Sequence, residues 1–328
     1  MMRVGVVIPS FRVRDHVLGV IEAIGAEVQH IYVIDDACPD RSGEHVQANV
    51  ADRRVRVLFN ASNLGVGGAV IAGYRAALAD GCDIVVKLDG DGQMKPALIP
   101  DFIEPIRARE ADYTKGNRFF DPEGLIGMPF ARLAGNAALS FMTKLSSGYW
   151  NVFDPTNGFT AIHAGVLRLL PLDKLAQRYF FESDMLFRLN IVRARVVDIP
   201  MHAVYGDERS NLRLGHALAE FTLLNWRNTA KRLLYNYFLR DFSIASLELV
   251  FGLLLFGFGL CFGIVEWVHY WRAQVFASAG TVMLAVLPVL SGLQLLLSFV
   301  NFDVAAVPGT ALCRLKARTR REEVRDET

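Results

Sequence analysis

Short apolar runs alternate with helix-like stretches along the first 120 residues. Val4-Gly-Val-Val-Ile8 has the pattern of a buried strand and ends at Pro9-Ser10, and the stretch from Val17 to Gly25 reads as a helix. Ile31-Tyr-Val-Ile34 predicts a second strand closed by Asp35-Asp36, and Val55-Arg-Val-Leu-Phe59 a third. Ala69 to Leu78 predicts a helix with small residues on one face, and Ile84-Val-Val-Lys-Leu88 a fourth strand that ends at Asp89-Gly-Asp91. Continuous apolar strands separated by helices predict an α/β domain with a Rossmann-like, mostly parallel sheet covered on both faces. Ligands of such sheets bind outside the carboxyl ends of the strands. Pro9-Ser10, Asp35-Asp36 and Asp89-Gly-Asp91 all fall at those ends, so three polar clusters are expected around one crevice.

The C-terminal part follows a different pattern. Phe242 to Val265 carries Glu248 as its one charge, and Val275 to Val300 carries none. At about 1.5 Å per residue these stretches make roughly 36 and 39 Å of helix, enough to cross about 30 Å of hydrocarbon. Two transmembrane helices are therefore expected at about 242–265 and 275–300, in preference to two buried core helices. The joining turn, Glu266 to Gln274, holds Trp267, Tyr270 and Trp271, which suit a membrane interface. Arg227, Lys231, Arg232 and Arg240 precede the spans, Arg314, Lys316, Arg318, Arg320 and Arg321 follow them, and Arg272 lies between. By the positive-inside rule both termini are expected in the cytoplasm, at the cytoplasmic (inner) membrane. Asn211 to Asp241 mixes aromatic, aliphatic and basic residues at helical spacing. It predicts amphipathic helices on the membrane surface, with packing on the soluble domain as the alternative. The expected organisation is a cytoplasmic domain over 1–210, juxtamembrane helices over 211–241, two spans within 242–304 and a basic tail over 305–328.

Composition changes this picture little. The net charge of +1 gives no reason to expect a nucleic-acid partner. Cys38, Cys82, Cys261 and Cys313 lack any C-x-x-C spacing and read as reduced thiols. The apolar run at Val4 is too short for a signal-peptide core, so no export of the front domain is expected. No oligomeric state is legible, and a homo-oligomer is compatible with the sequence.

Asp89-Gly-Asp91-Gly-Gln93 carries the most chemistry. Two carboxylates two residues apart, just past a buried strand, offer hard oxygen ligands for Mg²⁺ or Mn²⁺ bridging a diphosphate. An Asx-rich turn is the plainer alternative. With this stretch, Val7-Ile-Pro9-Ser10, Val33-Ile-Asp35-Asp36, Asn63-Leu-Gly65, Lys115-Gly-Asn-Arg118 and Asp154-Pro-Thr-Asn-Gly158 occur in the order found in family-2 glycosyltransferases. Over roughly residues 4–300 the chain resembles that family, and within it the polyprenyl-phosphate hexosyltransferases of the dolichol-phosphate mannose synthase group with two C-terminal membrane helices.

The resemblance implies a GT-A fold and a set of roles. Pro9, Phe11 and Asp36 would line the nucleoside pocket, with Asp36 accepting from base or ribose, and Asn63 and Gly90 would complete the nucleotide-sugar site. Asp89 would lie near ribose and metal, Asp91 and Gln93 would be metal ligands, and Arg118 would face the phosphates. The family's usual Asn-Glu pair after the first proline is replaced by Arg12-Val13, which leaves the donor nucleotide, UDP or GDP, open. Glu182-Ser-Asp184 resembles the acidic acceptor-side motif. Asp184 would be a general base for a hydroxyl acceptor, or a positioning group holding Arg188 if the acceptor is a phosphate. A phosphate acceptor calls for cations, and Arg118, Arg132, Arg209 and Arg213 are the candidates. The expected activity is inverting transfer of a hexose from a nucleotide-sugar to polyprenyl phosphate at the cytoplasmic membrane face. The alternatives are a family-2 transferase acting on a glycan hydroxyl and an inactive nucleotide-sugar-binding anchor.

Overall fold

A computed structural model describes residues 2–120, 130–201 and 214–314, with side chains for all of these except 130–134, 136 and 214–219. The chain divides into two compact units, one of residues 1–229 with 308–328 and one of residues 230–307.

The first unit is built on β1 (Val4–Ser10), α1 (Val17–Glu22), β2 (His30–Asp35), α2 (Ser42–Asn49), β3 (Val55–Phe59), α3 (Val66–Ala79) and β4 (Ile84–Lys87). It continues with α4 (Ile99–Arg107), β5 (Tyr113–Asn117), α5 (Phe130–Ser147), β6 (Thr160–His163), the one-turn α6 (Ala164–Leu167), α7 (Phe181–Ile191), β7 (Val196–Pro200) and α8 (Leu214–Leu234), whose residues from Ala230 on belong to the second unit. The seven strands form one sheet in the order β3-β2-β1-β4-β6-β5-β7. All pairings are parallel except those of β6, which runs antiparallel to both β4 and β5. The chain turns from β1 outward to β3 and returns to place β4 on the other side of β1. The carboxyl ends of β1 and β4 thus meet at a topological switch point, where such sheets open a crevice.

Alternation sorts the two faces of the sheet. Val4, Val6 and Ile8 share one core with Val17, Val20 and Ile21 of α1 and Phe102, Ile103 and Ile106 of α4, all buried. Phe102 stacks on Phe159 with ring centroids 3.9 Å apart. On the other face a Cβ at Gly73 of α3 would collide with Val7, so the glycine lets the helix lie directly on the strand. The helix also starts three residues before the predicted Ala69. Its first turn holds Gly67 and Gly68, poor helix formers that read as loop. A Cβ at Gly67 would strike the Ala176 carbonyl, so packing overrides propensity there.

The second unit contains a π-helical turn, Tyr235–Arg240, and an antiparallel pair, α9 (Ile244–Ala273) and α10 (Ala279–Ala305). Both long helices are apolar enough to cross a membrane by length and composition, and few of their residues are buried, unlike those of core helices. Trp267, Tyr270 and Trp271, expected in the joining turn, lie within α9. Its helix ends only where Gln274 takes a left-handed conformation at φ 53°, and the turn proper is residues 274–278. The ends of this unit are pinned together. Asp303 on α10 accepts from Arg232 at 2.6 and 2.9 Å and from the Tyr237 hydroxyl at 2.5 Å. Arg232 is 1% exposed, so this arginine is spent on an ion pair rather than presented as a flanking surface charge.

Residues from Pro308 return to the first unit. There the buried Asp112 accepts from the backbone N–H groups of Arg195 at 2.9 Å, Leu312 at 2.7 Å and Cys313 at 3.0 Å. The expected basic tail therefore begins as a docked segment, because a buried carboxylate must collect donors. Its residues beyond 314 lie outside the described residues.

Candidate functional site

The crevice at the strand ends is framed by three acidic positions, each held differently. Asp35 caps its own loop by accepting from Cys38 N at 2.8 Å and Gly43 N at 2.6 Å. Asp36, expected to meet base or ribose, is 2% exposed and accepts from Asn60 Nδ2 at 2.7 Å, Leu64 N at 3.0 Å and Gly65 N at 2.7 Å. It fastens the loop that carries the exposed Asn63 to the end of β2, and a nucleoside would have to share its oxygens. Pro9 is half-buried and Phe11 is 39% exposed beside it. Arg12, at φ 59°, lays its guanidinium 5.5 Å over the Phe11 ring.

At the end of β4 the arrangement is ionic. Lys87 is 1% exposed, with its Nζ 3.0 Å from Asp89 Oδ1 and 2.9 Å from Glu182 Oε1 on the first turn of α7. Burial alone would push the ammonium down, but Asp89 and Glu182 outweigh it and hold Lys87 above the ordinary lysine value. Past Asp89 the chain turns sharply: Gln93 N donates to Asp91 Oδ1 at 3.0 Å and Gly92 sits at φ 77°. Gly90 packs where a Cβ would lie 3.1 Å from Val13 and 3.2 Å from Ile8.

A second cluster adjoins the first through the loop 154–158. Arg118, just past β5, grips the fully buried Asp154 with Nε 2.7 Å from Oδ2 and Nη2 3.0 Å from Oδ1. Burial would raise the Asp154 carboxyl, but the Arg118 bonds win and hold it below its usual range. At the far end of the loop Lys115 Nζ donates to the Asn157 carbonyl, and burial pushes this lysine down to about 8. Gly158 then lies against the first cluster. A Cβ there would fall 2.5 Å from Lys87 Nζ and closer still to Asp89 Oδ2.

On α7, Asp184 is 2% exposed. It accepts from Ala176 N at 3.0 Å, Arg188 Nε at 2.8 Å and, on its other oxygen, Asn228 Nδ2 of α8 at 3.1 Å. Both acidic residues of Glu182-Ser-Asp184 are thus committed to a cation. Arg209 and Arg213 lie outside the described residues, as does the side chain of Arg132. Sequence reasoning missed Lys87, Lys115 and Asp198, and gave Glu182 and Asp154 no role of their own. A lysine inside an otherwise apolar central strand, in phase with Asp89, was the available signal for Lys87.

The residues of the Asp89–Gln93 turn fit a hard divalent cation. Two carboxylates and an amide oxygen suit Mg²⁺ or Mn²⁺ that leaves much of its shell to substrate phosphates. Gly158 adds no side chain of its own beside Asp89 Oδ2, where a Cβ would collide with that oxygen. Among the described residues no three His, Cys, Asp or Glu side chains converge as a protein-only cage.

The glycosyl transferase family 2 model matches residues 5–170. The undecaprenyl-phosphate mannosyltransferase of Micrococcus luteus is 34% identical over 173 residues, covering 52% of this chain and 70% of that protein. The UDP-N-acetylglucosamine–dolichyl-phosphate N-acetylglucosaminyltransferase of Methanococcus voltae is 34% identical over 152 residues, covering 46% and 60%. The polyprenol monophosphomannose synthase of Mycolicibacterium smegmatis is 27% identical over 202 residues, covering 60% and 75%. Among solved structures, glucosyl-3-phosphoglycerate synthase from Mycobacterium tuberculosis, in complex with Mn²⁺, UDP and glucosyl-3-phosphoglycerate, shares the fold. Its TM-score is 0.53 at 18% identity, over 70% of this chain and 80% of that one.

Proposed function

Because the chain belongs to glycosyl transferase family 2, we propose that it moves a hexose from a nucleotide-sugar to polyprenyl phosphate at the cytoplasmic membrane face, with inversion at the anomeric carbon. The relatives named for undecaprenyl, dolichyl and polyprenol phosphate support the acceptor class. The observation that carries a phosphate acceptor is the ionic commitment of Glu182 to Lys87 and of Asp184 to Arg188. A hydroxyl acceptor needs a carboxylate to take its proton, whereas a phosphate monoester is already an anion at pH 7.

In this mechanism an acceptor phosphate oxygen attacks C1 of the sugar from the face opposite the leaving group. The C1–O bond to the diphosphate breaks, and its electron pair departs with the nucleoside diphosphate. Asp89, Asp91 and Gln93 would hold a divalent cation, which supplies charge neutralisation for that leaving group. Arg118, oriented by Asp154, would add cationic donors to the phosphates. Phe11 and Pro9 offer the base an apolar wall, and Asp36 fixes the loop beside it.

The second unit supports a membrane setting. Its helices form a hairpin whose two ends are joined by the Arg232–Asp303 pair, so both flanks belong on one side. Among the described side chains of α8, Glu220, Leu223, Trp226, Arg227, Ala230, Lys231 and Leu234 are exposed, while Asn225, Asn228, Thr229 and Arg232 are buried. That polar-inside arrangement suits a helix whose outer face meets lipid headgroups.

Purified full-length protein should be incubated with UDP- and GDP-sugars, a polyprenyl phosphate and Mg²⁺ or Mn²⁺. The expected product is a glycosyl phosphate lipid labile to mild acid. An acid-stable glycoside would assign a hydroxyl acceptor instead, and failure to turn over any nucleotide-sugar would leave the inactive anchor.

A further inference from the structure

Lys87 is the last residue of the strand at the centre of the sheet, and a fully buried lysine there is costly unless its charge is used. Its ammonium touches two carboxylates from different elements. Asp89 belongs to the turn that holds the donor-side ligands, and Glu182 opens the helix that carries the acceptor-side motif. Without a cation between them, two carboxylates each about 3 Å from one point would repel and swing apart. With Lys87 in place the group is compact: the ammonium lies 3.0 Å from Asp89 Oδ1, a buried oxygen that the ion pair serves without a hydrogen bond of good geometry among the described residues. The Gly158 backbone closes over the pair, where any Cβ would fall 2.5 Å from Nζ. Asp89 therefore has one oxygen held by the charge of Lys87 and its other oxygen, Oδ2, set beside that glycine.

Resting on the family-2 reading above, we infer that Lys87 is a positioning residue: it fixes the Asp89 carboxylate for the donor complex and couples it, through Glu182, to the acceptor-side helix. At 1% exposed, Lys87 would act through Asp89 rather than by meeting a substrate itself. It acts by setting which oxygen of Asp89 is presented, and by holding α7 at a fixed distance from the donor turn.

The test is a double-mutant cycle on binding, without turnover. Affinity of the detergent-solubilised full chain for Mn²⁺·UDP and Mn²⁺·GDP is measured by titration calorimetry and by Mn²⁺ electron paramagnetic resonance. The proteins are wild type, Lys87→Met, Asp89→Asn and the double variant. Lys87→Met should weaken the preferred complex at least tenfold in the wild-type background and less than twofold once Asp89 is already Asn. Glu182→Gln, which leaves the Lys87–Asp89 contact in place, should bind the donor complex within threefold of wild type while raising the KM for polyprenyl phosphate. If Lys87→Met does not fold, Lys87→Gln carries the same cycle. Equal losses from the lysine change in both backgrounds overturn the positioning role, because a merely structural defect is additive. A wild type that binds neither complex overturns the family-2 donor reading, and the positioning role with it.

Discussion

Arg118 and Asp154, 36 residues apart in sequence, form a two-point ion pair, Nε to Oδ2 at 2.7 Å and Nη2 to Oδ1 at 3.0 Å. Asp154 is fully buried and opens the loop that ends at Gly158, against Lys87 and Asp89. The arginine expected to face phosphate is thus also the anchor of a loop that packs against Asp89, the carboxylate proposed to lie beside the metal. Its two tasks are compatible, since the fork that meets Asp154 keeps the guanidinium plane fixed while its side chain stays partly exposed.

Arg118→Ala should then fail in two measurable ways. Leaving the buried Asp154 without its cation should lower unfolding stability by about 1–3 kcal/mol, read as a lower urea midpoint. Turnover should fall more than tenfold, equivalent to about 1.4 kcal/mol of lost transition-state stabilisation. Arg118→Lys keeps a charge without the fork and should recover stability only in part. A variant that is destabilised yet fully active at low temperature would confine Arg118 to the loop.

Removing the cation or its ligand tests the donor turn. Asp91→Ala should abolish nearly all turnover while circular dichroism and melting remain close to wild type, because Asp91 is partly exposed at the turn. EDTA should do the same to the wild type, with activity restored by Mg²⁺ or Mn²⁺. Full activity under either condition would remove the metal role from Asp89, Asp91 and Gln93.

Much of this was legible in the sequence, for reasons that are local. Strands β1, β2 and β4 appear as apolar runs because a two-sided parallel sheet buries both their faces, and the carboxylates just past β2 and β4 mark the crevice. What was not legible depends on contacts across the fold. Asp36 reads as a ligand next to β2, but the donors that occupy it, at Asn60, Leu64 and Gly65, come from 24 to 29 residues on. Lys87 disappeared into an apolar strand, and its partner Glu182 lies 95 residues away. The extent of α9 was misjudged because aromatic residues that suit an interface are also tolerated in a helix. Only the left-handed Gln274 marks the true end.

Asp184 separates the two acceptor chemistries. Its oxygens hold Ala176, Arg188 and Asn228, so Asp184→Asn should loosen the start of α7 and lower stability modestly. With a phosphate acceptor, the pH–rate profile should keep its shape and kcat should fall less than tenfold. Loss of the fall in rate on the acid side of the profile in Asp184→Asn, with a drop of several orders of magnitude in kcat, would make it the general base of a hydroxyl transfer.

Asp198 on β7 gives a pH-dependent stability of opposite sign to that of an ordinary paired carboxylate. One of its oxygens accepts from Asn117 Nδ2 at 3.2 Å and Phe153 N at 3.0 Å. The other is buried and accepts no hydrogen bond among the described residues. Burial pushes its carboxyl up to about 6, against the pull of the Phe153 N–H and of Lys115. The folded protein therefore keeps a proton that the unfolded chain releases near the ordinary carboxylate value of about 4. Stability from this group is complete below pH ~4, falls as pH rises through the folded value, and stays lost above it. Asn at this position supplies the same acceptor for Asn117 and Phe153 without a charge. Asp198→Asn should consequently match wild type at the acid end and melt higher at pH 7.5, by about 2–6 °C. Thermal unfolding of both proteins from pH 4.5 to 8 gives the difference directly. A gap that is flat with pH, or that narrows as pH rises, would mean that Asp198 is ionised throughout and that its charge is matched by Lys115 and Lys144.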